Sequence, residues 1–180
     1  MSFDLQPYLE NDLLILRPLN DGDFEPLYNV ASDPLIWEQH PAKDRCQRNV
    51  FKIFFEEATA SKSAFTAIDK ITGDIIGCTR YTHVKETTAA ISIGYTFLAR
   101  KYWGGVYNGS MKGLMMAHAF NFVENVLFYI HENNIRSQKA VEKIGGIRIE
   151  KLNDLFLEPR PNATVIYCVS RSERIQTTRV

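Results

Sequence analysis

The segment at residues 102–120 (YWGGVYNGSMKGLMMAHAF) constrains this chain most, because a glycine-rich turn leads there directly into an amphipathic helix pattern. The run before it, which ends near Leu98, has the alternation of a β-strand. Small residues let an anion approach the backbone, and a helix start points unpaired N–H groups at the same place. The segment matches neither a Walker A loop nor the GxGxxG of a dinucleotide fold. We therefore predict that this turn binds a phosphate group, foremost a diphosphate.

The order of the predicted elements defines the fold class. Hydrophobic periodicity predicts strands at residues 13–18, 64–69, 75–83, 89–98, 126–131, 147–152 and 164–170, and helices at 21–31, 44–60, from the glycine-rich turn to about 123, and 137–144. The helix between the strands at 89–98 and 126–131 implies a parallel pair, because parallel neighbours need a crossover. We expect an α+β protein with a mixed, mostly antiparallel sheet of about seven strands and about four helices. A ligand would enter where the parallel pair splays.

Two finer predictions concern single elements. Asp21 is a candidate N-cap for the first helix. In the strand at 89–98, alternation places Ile93, Tyr95 and Phe97 on one face, and Gly94 marks a candidate β-bulge.

Length and composition predict a single domain over residues 1–180, with a core at about 13–170 and a short tail at 171–180. The 21 basic and 21 acidic residues balance, which gives no electrostatic signature of nucleic acid or an anionic membrane. Cys46, Cys78 and Cys168 are scattered and fit a reducing compartment, and no targeting or membrane-spanning segment is evident, so we expect a cytoplasmic protein. His118 and His131 lack partners at ligand spacing, so no metal is predicted.

Two motifs in order carry a family resemblance. The first is the glycine-rich turn with the run IGYTFLARK (residues 93–101) before it, and the second is NNIRSQKAVEKIGG (residues 133–146). They resemble the coenzyme A loop and the Asn-x-x-Ser-x-x-Ala-x-x-x-x-Gly signature of the GCN5-related N-acetyltransferases (the GNAT superfamily). Within it the chain looks most like the branch that acetylates ribosomal-protein N-termini. The resemblance covers residues 13–170 and implies the GNAT fold.

The resemblance implies acetyl-CoA as co-substrate, held by the strand end, the turn and the downstream asparagine. The residues expected to contact it are Phe97, Leu98, Ala99, Trp103, Gly104, Gly105, Val106, Tyr107, Asn108, Gly109, Ser110 and Asn134. The backbone of Phe97 and Ala99 is expected to pair with the pantetheine amides. The family has glycine or alanine where this chain has Val106 and Asn108. Because a β-branched residue at positive φ costs about 1–3 kcal/mol, we predict an ordinary helical or extended backbone at Val106.

The resemblance also implies how the leaving thiolate is protonated. The superfamily commonly uses a tyrosine seven positions beyond the asparagine, and Val141 occupies that position here. The ribosomal-protein branch instead uses a serine three positions beyond the asparagine, which assigns this role to Ser137, beside Asn134.

The attacking amine must be neutral, so a base or a water chain to one is needed. Where the branch usually has a glutamate, this chain has Ser92. His83 and Glu86 are the candidate replacements, and the alternative is that both are exposed loop residues without a role. An α-amine with a pKa of about 8 is partly neutral at pH 7, so a weak base or ordered water can suffice. Attack is expected to be direct, without a covalent enzyme intermediate.

Family analogy places the acceptor beside Trp37, Glu38, Gln39, His40 and the loop at residues 153–162. Ordinary surface or helix packing is the alternative reading of these residues. The expected acceptor is a protein or peptide N-terminus, and a small-molecule amine (aminoglycoside, polyamine or amino acid) is the rival. A non-catalytic acyl-CoA-binding module is a third reading, because Ser92, Val106 and Val141 depart from the common pattern. A homodimer is an open alternative for the assembly.

Overall fold

The computed structural model describes residues 3–85, 87–152, 155–156 and 163–172. The strands are β1 (Leu9–Glu10), β2 (Leu14–Pro18), β3 (Ala64–Asp69), β4 (Ile75–His83), β5 (Ala90–Leu98), β6 (Asn125–His131), β7 (Ile147–Ile149), β8 (Lys151–Leu152), β9 (Leu155–Phe156) and β10 (Thr164–Ser170). The α-helices are α1 (Phe24–Ala31), α2 (Arg48–Ala60), α3 (Tyr107–Ala119) and α4 (Ile135–Glu142). Short 3-10 helices cover Asp21–Asp23, Pro34–Ile36, Lys43–Cys46 and Arg100–Tyr102.

Eight strands form one sheet in the order β1-β2-β3-β4-β5-β6-β10-β7. Its neighbours are antiparallel except β5 and β6, which run parallel and are joined by the α3 crossover. A separate two-stranded ladder joins β8 to β9. This is the predicted α+β architecture, with the parallel pair where the sequence placed it.

Helices cover both faces of the sheet. Met111 and Met115 of α3 pack on one face in a cluster that Val141 of α4 joins. Leu27 of α1 and Phe51 of α2 pack on the other face. Full burial of each such side chain stabilises the fold by about 1.5–3 kcal/mol. The sheet therefore separates two faces, which are called the α3 side and the α1–α2 side after the helices that cover them.

A β-bulge in β5 changes which face its side chains occupy. Cys78 pairs with Phe97 and Arg80 pairs with Gly94, so one residue of β4 opposes two residues of β5. Tyr95 takes up the extra residue with φ of 53°, which confirms the irregularity predicted at Gly94. Ile93 consequently packs on the α3 side and Phe97 on the α1–α2 side. The prediction of one shared face was wrong, because an inserted residue reverses the alternation.

The start of the first helix also differs from its prediction. Asn20, not Asp21, is the N-cap: its side chain accepts a hydrogen bond from the Gly22 amide at 3.0 Å. The Asp23 carboxylate accepts from the Asn20 amide at 3.0 Å, which completes a capping box. Asn20 has an extended backbone that directs its side chain toward the first turn.

Other boundaries move by a few residues. The predicted helix at 44–60 begins as the 3-10 helix Lys43–Cys46, and the predicted strand at 147–152 divides into β7 and β8, which belong to different sheets. β1 was not predicted, because two residues carry no periodicity. Glu86 and most of the loop at 153–162 lie outside the described residues.

Candidate functional site

The parallel pair opens into a fork immediately after its start. β5 and β6 pair only from Ala90 to Ser92, opposite Asn125 to Leu127. Beyond this point β5 remains paired with β4, and β6 with β10. The backbone N–H groups of β5 that face the fork therefore have no strand partner on that side.

A cavity of about 580 Å³ fills the fork and extends to the segment between Ile36 and Arg45, which precedes α2. It is lined from both sides of the sheet by Ile36, Trp37, His40, Pro41, Arg45, Thr82, Ser92, Ile93, Gly94, Tyr95, Thr96, Phe97, Leu98, Trp103, Gly104, Asn108, Lys112, Phe128, Tyr129, Ile130, His131, Asn134, Arg136, Ser137, Ala140, Val141 and Thr164. The cavity thus brings both sequence motifs to one place.

The glycine-rich turn forms one end of this cavity. Gly104 has φ of 70°, and the Trp103 indole donates to the Leu98 carbonyl at 2.9 Å. Val106 is helical, with φ of −85°, and precedes α3, which confirms the backbone predicted for it. The turn thus leads directly into the start of α3, and a helix start is where backbone N–H groups can bind an anion.

The predicted cofactor contacts divide into two groups. Phe97, Leu98, Trp103, Gly104, Asn108 and Asn134 line the cavity, whereas Ala99, Gly105, Val106, Tyr107, Gly109 and Ser110 do not.

Two amides in the second group already have protein partners. The Ala99 amide donates to the Ile76 carbonyl at 2.8 Å, and the Ser110 amide donates to the Val106 carbonyl at 2.8 Å. The Ser110 hydroxyl also accepts from the Asn11 side chain. These two amide groups are therefore occupied within the fold.

The second motif starts α4 at the edge of the fork. Asn134 is buried and caps α4, because its side-chain oxygen accepts from the Ser137 amide at 3.1 Å. Ser137 lines the cavity, and its hydroxyl makes no hydrogen bond to another described residue. The capping role accounts for the spacing of the two residues, and the cavity gives the hydroxyl access to a ligand.

Arg136 connects α4 to both ends of the cavity. Its guanidinium lies over the Trp103 ring at 3.9 Å and donates to the Ile36 carbonyl at 2.8 Å. The Arg136 amide donates to the Gln39 side chain at 3.0 Å. Burial lowers the pKa of this arginine, which still remains charged at neutral pH.

Only one of the two predicted bases, His83, lies within the described residues. The Ser92 hydroxyl donates to the Thr82 carbonyl at 3.0 Å. His83 is exposed and lies outside the residues that line the cavity. Glu86 lies outside the described residues. A catalytic role for His83 or Glu86 stays a prediction.

Lys112 is a site residue that the sequence reasoning missed. Its side chain is 4% exposed, lines the cavity, and donates to the Thr79 hydroxyl at 3.2 Å and to the Thr96 hydroxyl. Burial lowers the pKa of Lys112 to about 7. A sequence signal existed, because Lys112 shares helical spacing with the buried Met115 and Met116.

Only some of the predicted acceptor residues line the cavity. Trp37 is buried and lines the cavity, and its indole donates to the Ala31 carbonyl at 2.7 Å. His40 also lines the cavity, and burial, with the nearby Arg45 charge, lowers its pKa to about 4, so it is neutral at pH 7. Glu38 is exposed and does not line the cavity.

The cavity is basic within the described part of the chain. Arg45, Lys112 and Arg136 line it together with His40 and His131, and no lining residue is Asp or Glu. No group of His, Cys, Asp and Glu that could hold a metal ion occurs among the described residues. Over the same ranges, no helix has the length and apolar character needed to cross a membrane.

The sequence itself matches the family expected from its two motifs. Residues 14–147 match the profile described as the acetyltransferase (GNAT) domain. The chain belongs to the GNAT acetyltransferase family, and it is an N-acetyltransferase. No curated protein showed significant sequence similarity to the chain.

Solved structures share the whole fold at low sequence identity. A GCN5-related N-acetyltransferase from Brucella melitensis aligns with a TM-score of 0.78 at 20% identity, covering 93% of this chain and 80% of its own. Mycobacterium smegmatis RimJ in complex with CoA-disulfide gives 0.68 at 14% identity, covering 93% and 87%. Spermidine N-acetyltransferase from Vibrio cholerae, in complex with CoA and spermine, gives 0.67 at 13%, covering 92% and 99%. A spermidine N-acetyltransferase, RimJ and a further GCN5-related N-acetyltransferase thus share this fold.

Proposed function

We propose that this chain transfers the acetyl group of acetyl-CoA to the N-terminal amine of a protein or peptide, by direct attack in a ternary complex. The observation that carries the choice of acceptor is the basic, carboxylate-free lining of the cavity in the described residues. A peptide N-terminus brings a single amine with a pKa of about 8, which is partly neutral at pH 7.

The same lining disfavours a polycationic acceptor. Polyamines and aminoglycosides carry several ammonium groups, and each group close to Arg45 or Arg136 would be repelled. Two like charges 4 Å apart repel by about 4 kcal/mol at an effective dielectric constant near 20. Sites for such ligands need carboxylates, and the described lining provides none.

The residues of the chain fit coenzyme A as co-substrate. The positive φ of Gly104 and the free first amides of α3 provide an anion site, and the open fork has the shape that a pantetheine arm needs. The lining residues Leu98 and Trp103 adjoin this site and provide an apolar wall.

The chemistry requires three contributions from the chain. The fork-facing amides of β5 stabilise the oxyanion that forms when the amine nitrogen attacks the thioester carbonyl carbon. The carbon–sulfur bond then breaks, and Ser137 donates its hydroxyl proton to the departing thiolate and regains one from solvent. The proton lost by the amine leaves through water or a neutral group such as His40, whose lowered pKa makes it a weak acceptor.

The test is an acetyl-transfer assay with acetyl-CoA and a panel of peptides with free or blocked N-termini. Thiol release and the gain of one acetyl group on free N-termini alone would support the proposal. Acetylation of spermidine or an aminoglycoside in preference to every peptide would overturn the acceptor class. Heat-unfolded protein is the control for non-enzymatic transfer.

A further inference from the structure

Two guanidinium groups lie close together on the acceptor side of the sheet. Arg45 lines the cavity and stacks on Trp37 at 5.2 Å and on Phe54 at 4.6 Å. Arg80, on β4, stacks on the Tyr95 ring at 3.4 Å, and that ring packs against Phe54. The bulge in β5 presents Tyr95, which is 40% exposed and lines the cavity beside Arg45.

Within the described residues, these two arginines lack the ion pairs that four other arginines have. In the described part of the chain, the Arg45 guanidinium makes one polar contact, with the His40 ring at 3.5 Å. Arg80 is 6% exposed, and its Nε has no hydrogen-bond partner in the same part of the chain. Glu57 and Asp44 act on Arg45 only from a distance. By contrast, carboxylates pair with Arg17, Arg48, Arg100 and Arg171.

Such an arrangement is unfavourable unless an anion completes it. Arg80 is a buried charge without an ion-pair partner in the described residues, which is costly, and the half-buried Arg45 adds a neighbouring positive charge that raises the cost. A carboxylate accepts two parallel hydrogen bonds from a guanidinium fork, which offsets the loss of water. The cavity gives a ligand access to Arg45, and Arg80 adds a second positive charge beside it.

We infer that Arg45, supported by the charge of Arg80 behind Tyr95, forms a subsite for a carboxylate carried by the acceptor. The inference rests on the proposed function and sharpens it: the preferred peptide has an acidic side chain within its first three residues. Arg45 and Ser137 line the same cavity. Because an extended residue spans about 3.5 Å, a peptide whose N-terminal amine lies near Ser137 would bring only its first few side chains to Arg45.

The coenzyme A phosphates are a poorer match for this subsite. The anion site at the start of α3 is bounded by Trp103, on which Arg136 stacks. Arg45 instead stacks on Phe54, in the cluster formed by α1 and α2, and Arg80 stacks on Tyr95, which packs against Phe54. An acceptor that approaches from the α1–α2 side meets them first.

The test compares peptides that differ by one charge. Peptides with N-terminal alanine carry Glu or its neutral isostere Gln at position 2 or 3, and kcat/KM is measured with saturating acetyl-CoA. We expect the Glu peptides to be preferred by about tenfold or more, the size of one charge-assisted hydrogen bond. Equal rates for Glu and Gln peptides would overturn the subsite while leaving the proposed function intact.

Variants of the protein test whether the preference for Glu peptides depends on Arg45 and Arg80. Arg45→Gln is expected to reduce the Glu-to-Gln ratio to less than about threefold, and Arg45→Lys should restore part of it. Arg48→Gln is the matched control, because Arg48 is exposed, is paired with Glu25 and lies outside the cavity. Arg80→Gln should also reduce the ratio, with thermal unfolding used to confirm that this variant folds. A ratio unchanged in Arg45→Gln would overturn the inference.

Two further measurements separate this inference from the proposed function. Free glutamate and glutamine amide are compared as acceptors, and calorimetry measures binding of the Glu peptide to the protein with CoA. Acetylation of free amino acids alone, dependent on Arg45, supports the subsite but overturns the peptide acceptor. Binding of the Glu peptide that depends on Arg45 but leads to no acetyl transfer would likewise support the subsite and overturn the peptide acceptor. Absence of both binding and transfer would overturn both proposals.

Discussion

The two ends of the cavity are built in different ways. The proposed cofactor end is made of backbone: the turn at Gly104, the start of α3 and the unpaired edge of β5. The proposed acceptor end is made of side chains from distant segments, among them Trp37, Arg45 and Tyr95. Backbone sites need particular residues at short spacing, so they leave a local sequence motif. Side-chain sites depend on which segments the fold brings together, so they leave none.

The largest expected effect separates catalysis from cofactor binding. Ser137→Ala removes the proposed proton donor at the edge of the fork, and general acid catalysis typically contributes about 10²–10⁴-fold to rate. We expect kcat, measured by stopped-flow, to fall by about 10²-fold or more. The Kd for acetyl-CoA, measured by calorimetry, should change less than about threefold.

The matched control for that variant is Ser32→Ala, whose exposed hydroxyl bonds to the Asn29 carbonyl away from the cavity. If Ser137→Ala weakened cofactor binding as much as it slowed turnover, Ser137 would belong to the cofactor end instead.

The next prediction concerns the buried cation between the two ends. The folded-state pKa of Lys112 is about 7, below the usual 10.5. Between these values the unfolded chain binds the extra proton, so stability should rise with pH across this window, by at most about 1.4 kcal/mol per unit. Below about pH 7 both states are protonated, and this contribution should be constant.

Denaturant unfolding at a series of pH values tests the role of Lys112. Lys112→Met should remove the rise between about pH 7 and 10. The exposed Lys52, which pairs with Glu56, provides the control variant Lys52→Met. An unaltered pH profile in Lys112→Met would show that Lys112 does not titrate in this range.

The smallest expected effect is on stability, and it tests whether the turn at Gly104 needs a glycine. Gly104→Ala forces a side chain onto a left-handed residue, which should lower the free energy of unfolding by about 1–2 kcal/mol. Gly105→Ala is the control, because Gly105 is not in the left-handed region and an added Cβ meets nothing within 4 Å. Denaturant titration measures the free energy of unfolding of both variants. An equal decrease in both would contradict the left-handed conformation of Gly104.

Much of the fold follows from the sequence, because strand alternation and helix spacing are local. The parallel pair, the conformation of Val106 and the bulge beside Gly94 were predicted. The face reversal after the bulge was not, since alternation alone assumes an uninterrupted strand. The separation of the strand at 147–152 between two sheets depends on pairing partners that the sequence does not name.

The site was predictable to the extent that its motifs are local. Asn134 and Ser137 lie on one helix start, and the structure places both at the fork. Arg45 and Arg80 are 35 positions apart and approach only because Tyr95 and Phe54 pack between them. His83 ends β4, the strand paired with β5, but its side chain is exposed.

The central claim is that the backbone-built end of the cavity holds the diphosphate of acetyl-CoA. Calorimetric titration of the purified protein with acetyl-CoA and with acetyl-pantetheine, which lacks the diphosphate, tests it directly. We expect micromolar affinity for acetyl-CoA and at least about 100-fold weaker binding of acetyl-pantetheine, because two or more charge-assisted hydrogen bonds are lost. Equal affinities, or no detectable binding of acetyl-CoA, would contradict the claim.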